Sequence, residues 1–394
     1  MAKYMRMFRL NRNLKVLFVL NLAFSTCVGL VSPLFPLFLD GTGANILEIS
    51  LVLFVGGVAT TILMVPSGLL SDRYRRRNIL ILSSIMYGLA AFYLTTVRNW
   101  EQSILGFVIF SSASTLSLPA IFTLIADNAD STRLAKTFGL IQTGWPVGLM
   151  IGSALGGFLA DNYGWNYTFY VVVLISLLSI IPNYFFKRTY KGDKMLDKKQ
   201  TRGTFFTRGI ITFLFLFSLS QLLLSSANGI LNPVIPLYLT ENFNVNETAV
   251  GFFFSMGLGL ATLVTQVPSG MLADRYGYKK ILVYSILPVP IILLFWPVIG
   301  DYFLLMILYM FIIGLGSMTW SVAPVYLMNL TPTLDRGLVV SISETAVKLG
   351  FTLGPLIGGY FSYIYSSVAP FYVSSVFFAL SFFLILFLRK PNRK

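Results

Sequence analysis

The sequence predicts an all-α membrane protein of twelve transmembrane helices in two homologous six-helix bundles. Composition, the succession of apolar runs and an internal repeat each point there. Of 394 residues, 56% are hydrophobic and only 11% charged, too little charge for a soluble surface. Runs such as 79–97 and 368–388 match the roughly 20 residues needed to cross hydrocarbon, so the bilayer is the solvent for most of the chain.

Apolar stretches between charged or turn-rich segments predict spans near 14–39, 45–70, 79–97, 102–126, 134–159 and 166–186. A second set follows near 208–239, 248–272, 281–299, 302–328, 337–362 and 369–388. The first run contains Asn21, Ser25 and Thr26 and continues into Pro33 and Pro36 without a small-residue cleavage site, which predicts a retained helix instead of a signal peptide. Between the sets, the segment holding Lys187, Arg188, Lys191, Asp193, Lys194, Asp197, Lys198, Lys199 and Arg202 is too polar to enter the membrane. The expected organisation is an N-terminal bundle over 1–187, a cytoplasmic linker over 188–206 and a C-terminal bundle over 207–394.

The net charge of +14 sits in short segments between apolar runs and reads as topology. Of 29 Lys and Arg, only Arg98 falls in an outer loop and only Lys348 inside a span once the N-terminus and linker are placed in the cytoplasm. The 15 acidic residues divide evenly between the two sides, apart from Glu344 in a span. An asymmetry confined to Lys and Arg is the positive-inside pattern. It predicts a multi-pass protein of a prokaryotic inner or plasma membrane with both termini cytoplasmic. Basic groups divided among membrane loops are not a nucleic-acid footprint. One cysteine, Cys27, excludes an internal disulfide, and the absence of histidine removes the commonest metal ligand and near-neutral proton acceptor. No cofactor, metal or catalytic centre is expected, and any protonation switch must use a carboxylate.

The halves repeat one another. Val65-Pro66-Ser67-Gly68-Leu69-Leu70-Ser71-Asp72-Arg73-Tyr74 corresponds to Val267-Pro268-Ser269-Gly270-Met271-Leu272-Ala273-Asp274-Arg275-Tyr276 at an offset of 202. Gly148, Gly152, Gly156 and Gly157 correspond to Gly350, Gly354, Gly358 and Gly359 at the same offset, and Pro33 and Pro36 to Pro233 and Pro236 at 200. Three matches in one order establish a repeat of about half the chain, the usual basis of transporter symmetry.

The short connections at Gly68 to Arg77 and Gly270 to Lys280 are candidate conformational gates. Gly68, Gly270 and Gly277 let backbones approach, Asp72, whose repeat counterpart is Asp274, can accept hydrogen bonds from a neighbouring helix N-terminus, and Arg73, Arg76, Arg77 and Arg275 hold the inner surface. Here the chain resembles the major facilitator superfamily. The loop signature of that family, Gly-x-Leu-x-Asp-Arg-x-Gly followed by two basic residues, is met by Gly68, Leu70, Asp72, Arg73, Arg76 and Arg77, with Arg75 replacing the later glycine. The second copy runs through Gly270, Leu272, Asp274, Arg275, Gly277, Lys279 and Lys280, with Tyr278 at one basic position. The resemblance covers essentially the whole chain and implies alternating access by two bundles. A second signature, Gly-x-x-x-Gly-Pro-x-x-Gly-Gly, is met by Gly148, Gly152, Gly156 and Gly157 with Ser153 at the proline position, and completely by Gly350, Gly354, Pro355, Gly358 and Gly359. Within the resemblance it is associated with exporters that exchange substrate for a cation; physically it permits close helix packing with a kink at Pro355. The fourth span lacks the arginine that such exporters commonly carry.

Glu344 and Lys348 lie four apart on one helix face. Counted from Arg336 they are roughly 12–18 Å deep at about 1.5 Å per residue, near the middle of a hydrocarbon core about 30 Å thick. They are expected either to pair beside a water-filled cavity and handle a proton or substrate, or to form a structural ion pair. Gln221, Asn228 and Asn232 form one stripe of the seventh span, suited to a polar substrate. Asn21, Gln142 and Gln266 either add to it or link helices, and Trp145, Trp320 and Tyr326 are either aromatic walls or packing residues. The expected function is export of a small organic or amphipathic compound by proton or other cation antiport, by a monomer among membrane lipids. The alternative is an importer or facilitator of a polar metabolite such as a sugar or organic anion. A non-transporting receptor or lipid scramblase would leave the doubled loop signature without a purpose.

Overall fold

A computed structural model describes residues 11–129, 134–186, 208–331 and 336–388; the linker expected at 188–206 lies outside them. Among the described residues, eleven helices are long and apolar enough to cross a membrane. In chain order the spans are Arg12–Gly41, Ile46–Ser71, Arg76–Leu94, Trp100–Asn128, Thr137–Tyr163 and Trp165–Tyr184, then Ile210–Phe243, Glu247–Gln266, Tyr278–Val298 and Tyr302–Leu330, with Ala369–Phe387 last. Arg336–Ile364, a 29-residue helix carrying Glu344 and Lys348, stands between the last two and completes the twelve. Helix is the form that lets each segment satisfy its own backbone in lipid.

Local sequence sets the helix ends. Asn45 accepts from the backbone N–H of Leu47 and Glu48, while Glu48 accepts from the N–H of Asn45, a reciprocal cap opening the second span. Asn246 caps the eighth span through Ala249 N–H and Asp301 caps the tenth through Leu304 N–H. Gly277, with φ +96°, ends the eighth span's helix in a conformation that other residues adopt only with strain.

The same packing scheme serves both halves. The first span packs on the fifth, the second on the fourth and the third on the sixth; the seventh packs on the eleventh, the eighth on the tenth and the ninth on the twelfth. Buried hydroxyls join helices inside each bundle. Ser84 Oγ lies 2.7 Å from Ser179 Oγ, and Ser374 and Ser381 donate to the carbonyls of Ala227 and Ser220 at 2.9 and 2.8 Å. Two seams join the halves: the second span against the eleventh, and the fifth against the eighth.

Glycines make these seams. A Cβ at Gly148, Gly152 or Gly156 would run into backbone or Ser25 of the first span, and one at Gly350, Gly354 or Gly358 into the seventh. The fourth glycine of each set faces the other half: Gly157 meets Glu247 and Gly251, and Gly359 meets Ile46 and Ser50. Each signature thus has three glycines that build a bundle and one that joins two bundles.

One face of the molecule carries Arg12, Arg73, Arg75, Arg76, Arg77, Lys279 and Lys280 and is called the basic face below. On the opposite face the halves are sealed by the Gly157 and Gly359 contacts and by Asp161, which accepts from Asn246 Nδ2 at 2.8 Å and Thr248 Oγ1 at 2.5 Å. Midway, Thr61 and Thr352 hydroxyls meet across the seam at 3.0 Å. Toward the basic face the contacts end. Val65, Leu69, Val264 and Met271 are exposed, and a Cβ at Gly68 or Gly270 would meet open space. Close backbone approach, expected at those two glycines, is absent in this state because the helix ends that carry them stand apart.

The halves differ by one residue in register. From Asn45 to Tyr74 the second span aligns with Asn246 to Tyr276: Asn45 and Gly56 match Asn246 and Gly257 at an offset of 201, whereas Gly57, Ala59 and Pro66 match Gly259, Ala261 and Pro268 at 202. The extra residue is Leu258. It lies in a π-helical stretch, Ser255–Ala261, the local widening by which a helix absorbs an insertion.

The two glycine roles are separable. Gly156→Ala should lower the melting temperature in detergent, since over-packing against Leu30 costs about 1–3 kcal/mol. Gly157→Ala should leave each bundle's stability nearly intact but lengthen spin-label distances across the opposite face. Equal melting losses with unchanged distances would contradict this division.

Candidate functional site

A cavity of about 220 Å³ lies between the halves, beneath the sealed opposite face. The first and fifth spans contribute Val28, Ser32, Pro33, Trp145 and Leu149, and the seventh contributes Asn228, Leu231, Asn232 and Ile235. Phe254 and Leu258 enter from the eighth span, Trp296 from the ninth, Tyr309 and Trp320 from the tenth and Phe351 from the eleventh. Among the described residues, no charged side chain lines it.

The rings are held by packing. Tyr309 stacks on Phe253 with centroids 4.6 Å apart, Trp296 stacks on Phe371 at 5.6 Å, and Trp320 tilts over Phe351 at 6.4 Å. Hydrogen-bonding capacity is concentrated on the seventh span. Asn228 Nδ2 donates to the Leu224 carbonyl at 2.9 Å, which leaves its Oδ1 as an acceptor. Asn232 is exposed and, among the described residues, its amide has no protein partner. Asn228 and Asn232 are one helical turn apart, so both amides address the same space.

Several expected residues lie elsewhere. Asn21 Nδ2 donates to the Ile141 carbonyl at 3.0 Å and approaches Gln142 Oε1 at 3.4 Å. This ties the first span to the break between Leu134–Gln142 and Gly144–Tyr163, where Pro146 cannot donate to the Gln142 carbonyl. Asn21 and Gln142 therefore link helices. Gln221 is buried two turns from Asn228 toward the basic face, its Nε2 without a partner. Tyr326 is buried against Phe213 and Phe217, and Gln266 is half-buried at the end of the eighth span; neither borders the cavity. The stripe read on the seventh span is thus split, because only its two outermost amides reach the level where the halves enclose space.

Glu344 and Lys348 are both half-buried and also lie outside the cavity lining. Their charges interact along one helix face, yet no N–O contact within 4.0 Å joins them; among the described residues the ion pair observed is Arg76–Asp127. The expected direct pairing is absent because an i to i+4 spacing fixes only a shared face and leaves two long side chains free to diverge. One turn beyond, Thr352 Oγ1 donates to the Lys348 carbonyl at 2.9 Å and meets Thr61 of the other half.

The gate residues are distributed similarly. Arg76 pairs with Asp127, the Arg77 guanidinium lies 4.8 Å over the Tyr184 ring and that of Arg275 5.4 Å over Tyr276. Arg73 is exposed. Asp274 accepts from the Tyr278 hydroxyl within its own connection. The side chain of Asp72 lies outside the described residues.

Trp296, Tyr309 and Phe351 were missed by the sequence reading. Tyr309 and Trp320 are eleven apart, the spacing of Gln221 and Asn232, so the periodicity that exposed the amide stripe also marks this aromatic one. Trp296 carries no such signal.

Comparison with known proteins agrees with this architecture. A 27% identical relative, the uncharacterized MFS-type transporter MJ1560 of Methanocaldococcus jannaschii, aligns over 97% of this chain and 99% of its own. The multidrug resistance protein MdtG of Proteus mirabilis is 26% identical over 93% of each chain. Among solved structures, a D-xylose-proton symporter superposes with a TM-score of 0.79 at 13% identity, covering 97% of this chain and 99% of that one. The inward-open xylose transporter XylE of E. coli superposes with a TM-score of 0.76 at 14% identity over 96% of each; at such identities the likeness is one of fold. The chain is a multi-pass secondary transporter of small organic compounds that works by alternating access, and not an enzyme. The sequence model of the Major Facilitator Superfamily matches residues 17–228 and again 217–394, so the chain belongs to that family.

Proposed function

We propose that the substrate is a small, uncharged metabolite with a ring face and a hydrogen-bonding edge, such as a sugar, bound between the halves. The carrying observation is the cavity, which sets the amides of Asn228 and Asn232 against Trp145, Trp296 and Trp320 without any charged group. A volume of about 220 Å³ falls below the roughly 300–1,000 Å³ of drug-sized sites. A neutral lining gives an organic anion no counter-charge, which narrows the metabolite reading to uncharged compounds. The basic face is assigned to the cytoplasm by the distribution of Lys and Arg, so the described state opens inward. Transport then requires the Gly157 and Gly359 seams and the Asp161 hydrogen bonds to separate while the Gly68 and Gly270 connections close.

A second reading, export of a compact amphipathic compound, draws on the mostly apolar lining and on the likeness to the multidrug resistance protein MdtG. In either direction Glu344 is the proposed proton site. It is the acidic residue assigned to a span interior, and its helix holds the seam at Thr352. The protein is taken to work as a monomer, since each half completes the other's cavity.

Three measurements bear on this. In proteoliposomes given a panel of radiolabelled sugars and small amphipaths, Asn232→Leu and Trp320→Ala should each cut flux of the accepted compound about tenfold or more, in keeping with about 1–3 kcal/mol for a buried hydrogen-bonding group left unpaired. Unchanged flux in both variants would remove the cavity as the substrate site. Deleting Leu258 should restore an ordinary helical register and change the ranking of substrates by size, whereas Leu258→Ala should relax the size limit without changing the backbone; identical rankings in wild type and both variants would refute a role for the insertion. For Glu344, the Glu344→Gln variant and its double with Lys348→Gln should keep counterflow exchange but lose pH-gradient-driven accumulation. Full proton-driven accumulation by a stable variant would exclude Glu344 as the coupling group.

A further inference from the structure

At the basic end of the N-terminal half, two arginines from different helices rest on adjacent aromatic residues. The Arg12 guanidinium lies 5.3 Å from the centroid of Phe185, and that of Arg77 4.8 Å from Tyr184. Tyr184 and Phe185 end the sixth span and are 67% and 49% exposed. Such rings, at the end of an apolar helix, occupy the headgroup level of the bilayer. Lys15 is exposed one turn from Arg12. None of the three cations has an acidic partner within 4.0 Å among the described residues; the nearby Asp127 is held by Arg76.

Stacking explains the geometry but leaves the charge unanswered. A guanidinium on a ring face still presents its N–H groups sideways, and its planar fork suits two oxygens of a phosphate. Two such forks are anchored on consecutive aromatic residues, with the exposed Lys15 one turn from Arg12. A free anion would reach them from water, whereas a phospholipid would bring a phosphate at the same depth and an acyl chain against the exposed apolar flank at Ile181 and Leu177. We propose that Arg12, Lys15 and Arg77, set on Tyr184 and Phe185, form a binding site for the headgroup of an anionic phospholipid in the leaflet on the basic face.

The site lies on the outside of one bundle and is independent of the substrate assignment. Its test uses the full-length protein in nanodiscs containing phosphatidylglycerol, phosphatidylcholine or both, with retained lipid counted by native mass spectrometry after release into detergent. Wild type should retain phosphatidylglycerol selectively. Removing both charges in Arg12→Gln/Arg77→Gln should weaken retention roughly thirtyfold, at about fivefold per basic residue near an anionic surface. The double Arg12→Lys/Arg77→Lys variant keeps the charge but loses fork and stack, and should fall between. Arg75→Gln/Lys280→Gln removes the same charge from exposed positions on the same face and should retain lipid like wild type. Equal losses in site and control variants, equal retention of phosphatidylcholine, or displacement of the lipid by inorganic phosphate would each overturn the proposal. A site variant that does not fold leaves the lysine double variant, whose wild-type retention would overturn it as well.

Discussion

The fold depends on backbone meeting backbone at the glycine seams. Lipid tails are as apolar as leucine side chains, so helices in a bilayer associate through close packing and hydrogen bonds instead of hydrophobic burial. Here the fifth and eleventh spans can approach the first and seventh only because three glycines on each present no side chain. The fourth glycine of each set turns the same device outward. Permanent packing within a bundle and reversible packing between bundles therefore lie on adjacent residues of one helix. A rigid helix with both kinds of contact moves as part of its bundle, which is what alternation between two states requires.

Symmetry in the sequence is broken where the substrate is proposed to bind. The seams are near copies: Gly157 on Gly251 in one, Gly359 on Ser50 in the other. The cavity beneath them is drawn mainly from the C-terminal half, with its asparagines, Trp296, Tyr309 and the inserted Leu258. A π-helical turn lets that extra residue enter without disturbing either the cap at Asn246 or the Gly-Asp-Arg connection beyond Pro268. The two connections keep their Gly-Asp-Arg repeat, with Arg75 standing where the other copy has Gly277, and the difference in length between these spans falls in the helix middle.

Much of the architecture was legible because lipid imposes simple rules. A backbone that must satisfy itself gives long apolar helices, and the apolar runs disclosed them; their caps at Asn45 and Asn246 came from the structure. The glycine spacing disclosed the seams. The site was less legible, because an amide on an apolar helix reads the same whether it faces a cavity, as Asn232 does, or a neighbouring carbonyl, as Asn21 does. Trp296 lies among five tryptophans, and nothing in its neighbours distinguishes a cavity wall from a lipid anchor. The Glu344 and Lys348 spacing predicted contact, but i to i+4 fixes only a shared face and leaves long side chains free to diverge.

That divergence bears on how a charge outside the cavity can act on what is inside it. Glu344 and Lys348 share the eleventh helix with Thr352, whose hydroxyl donates to the Lys348 carbonyl of its own helix and touches Thr61 across the seam. Two turns along that helix from Glu344, on the same face, Phe351 borders the cavity and Trp320. A change of charge at Glu344 alters the cost of leaving Lys348 unpaired between the parted halves. Closing the basic face would bury both groups further, so the closed arrangement favours a neutral or paired state over two separate charges. Coupling by this route needs no contact between proton and substrate. It needs only that both bias the same movement of the eleventh helix.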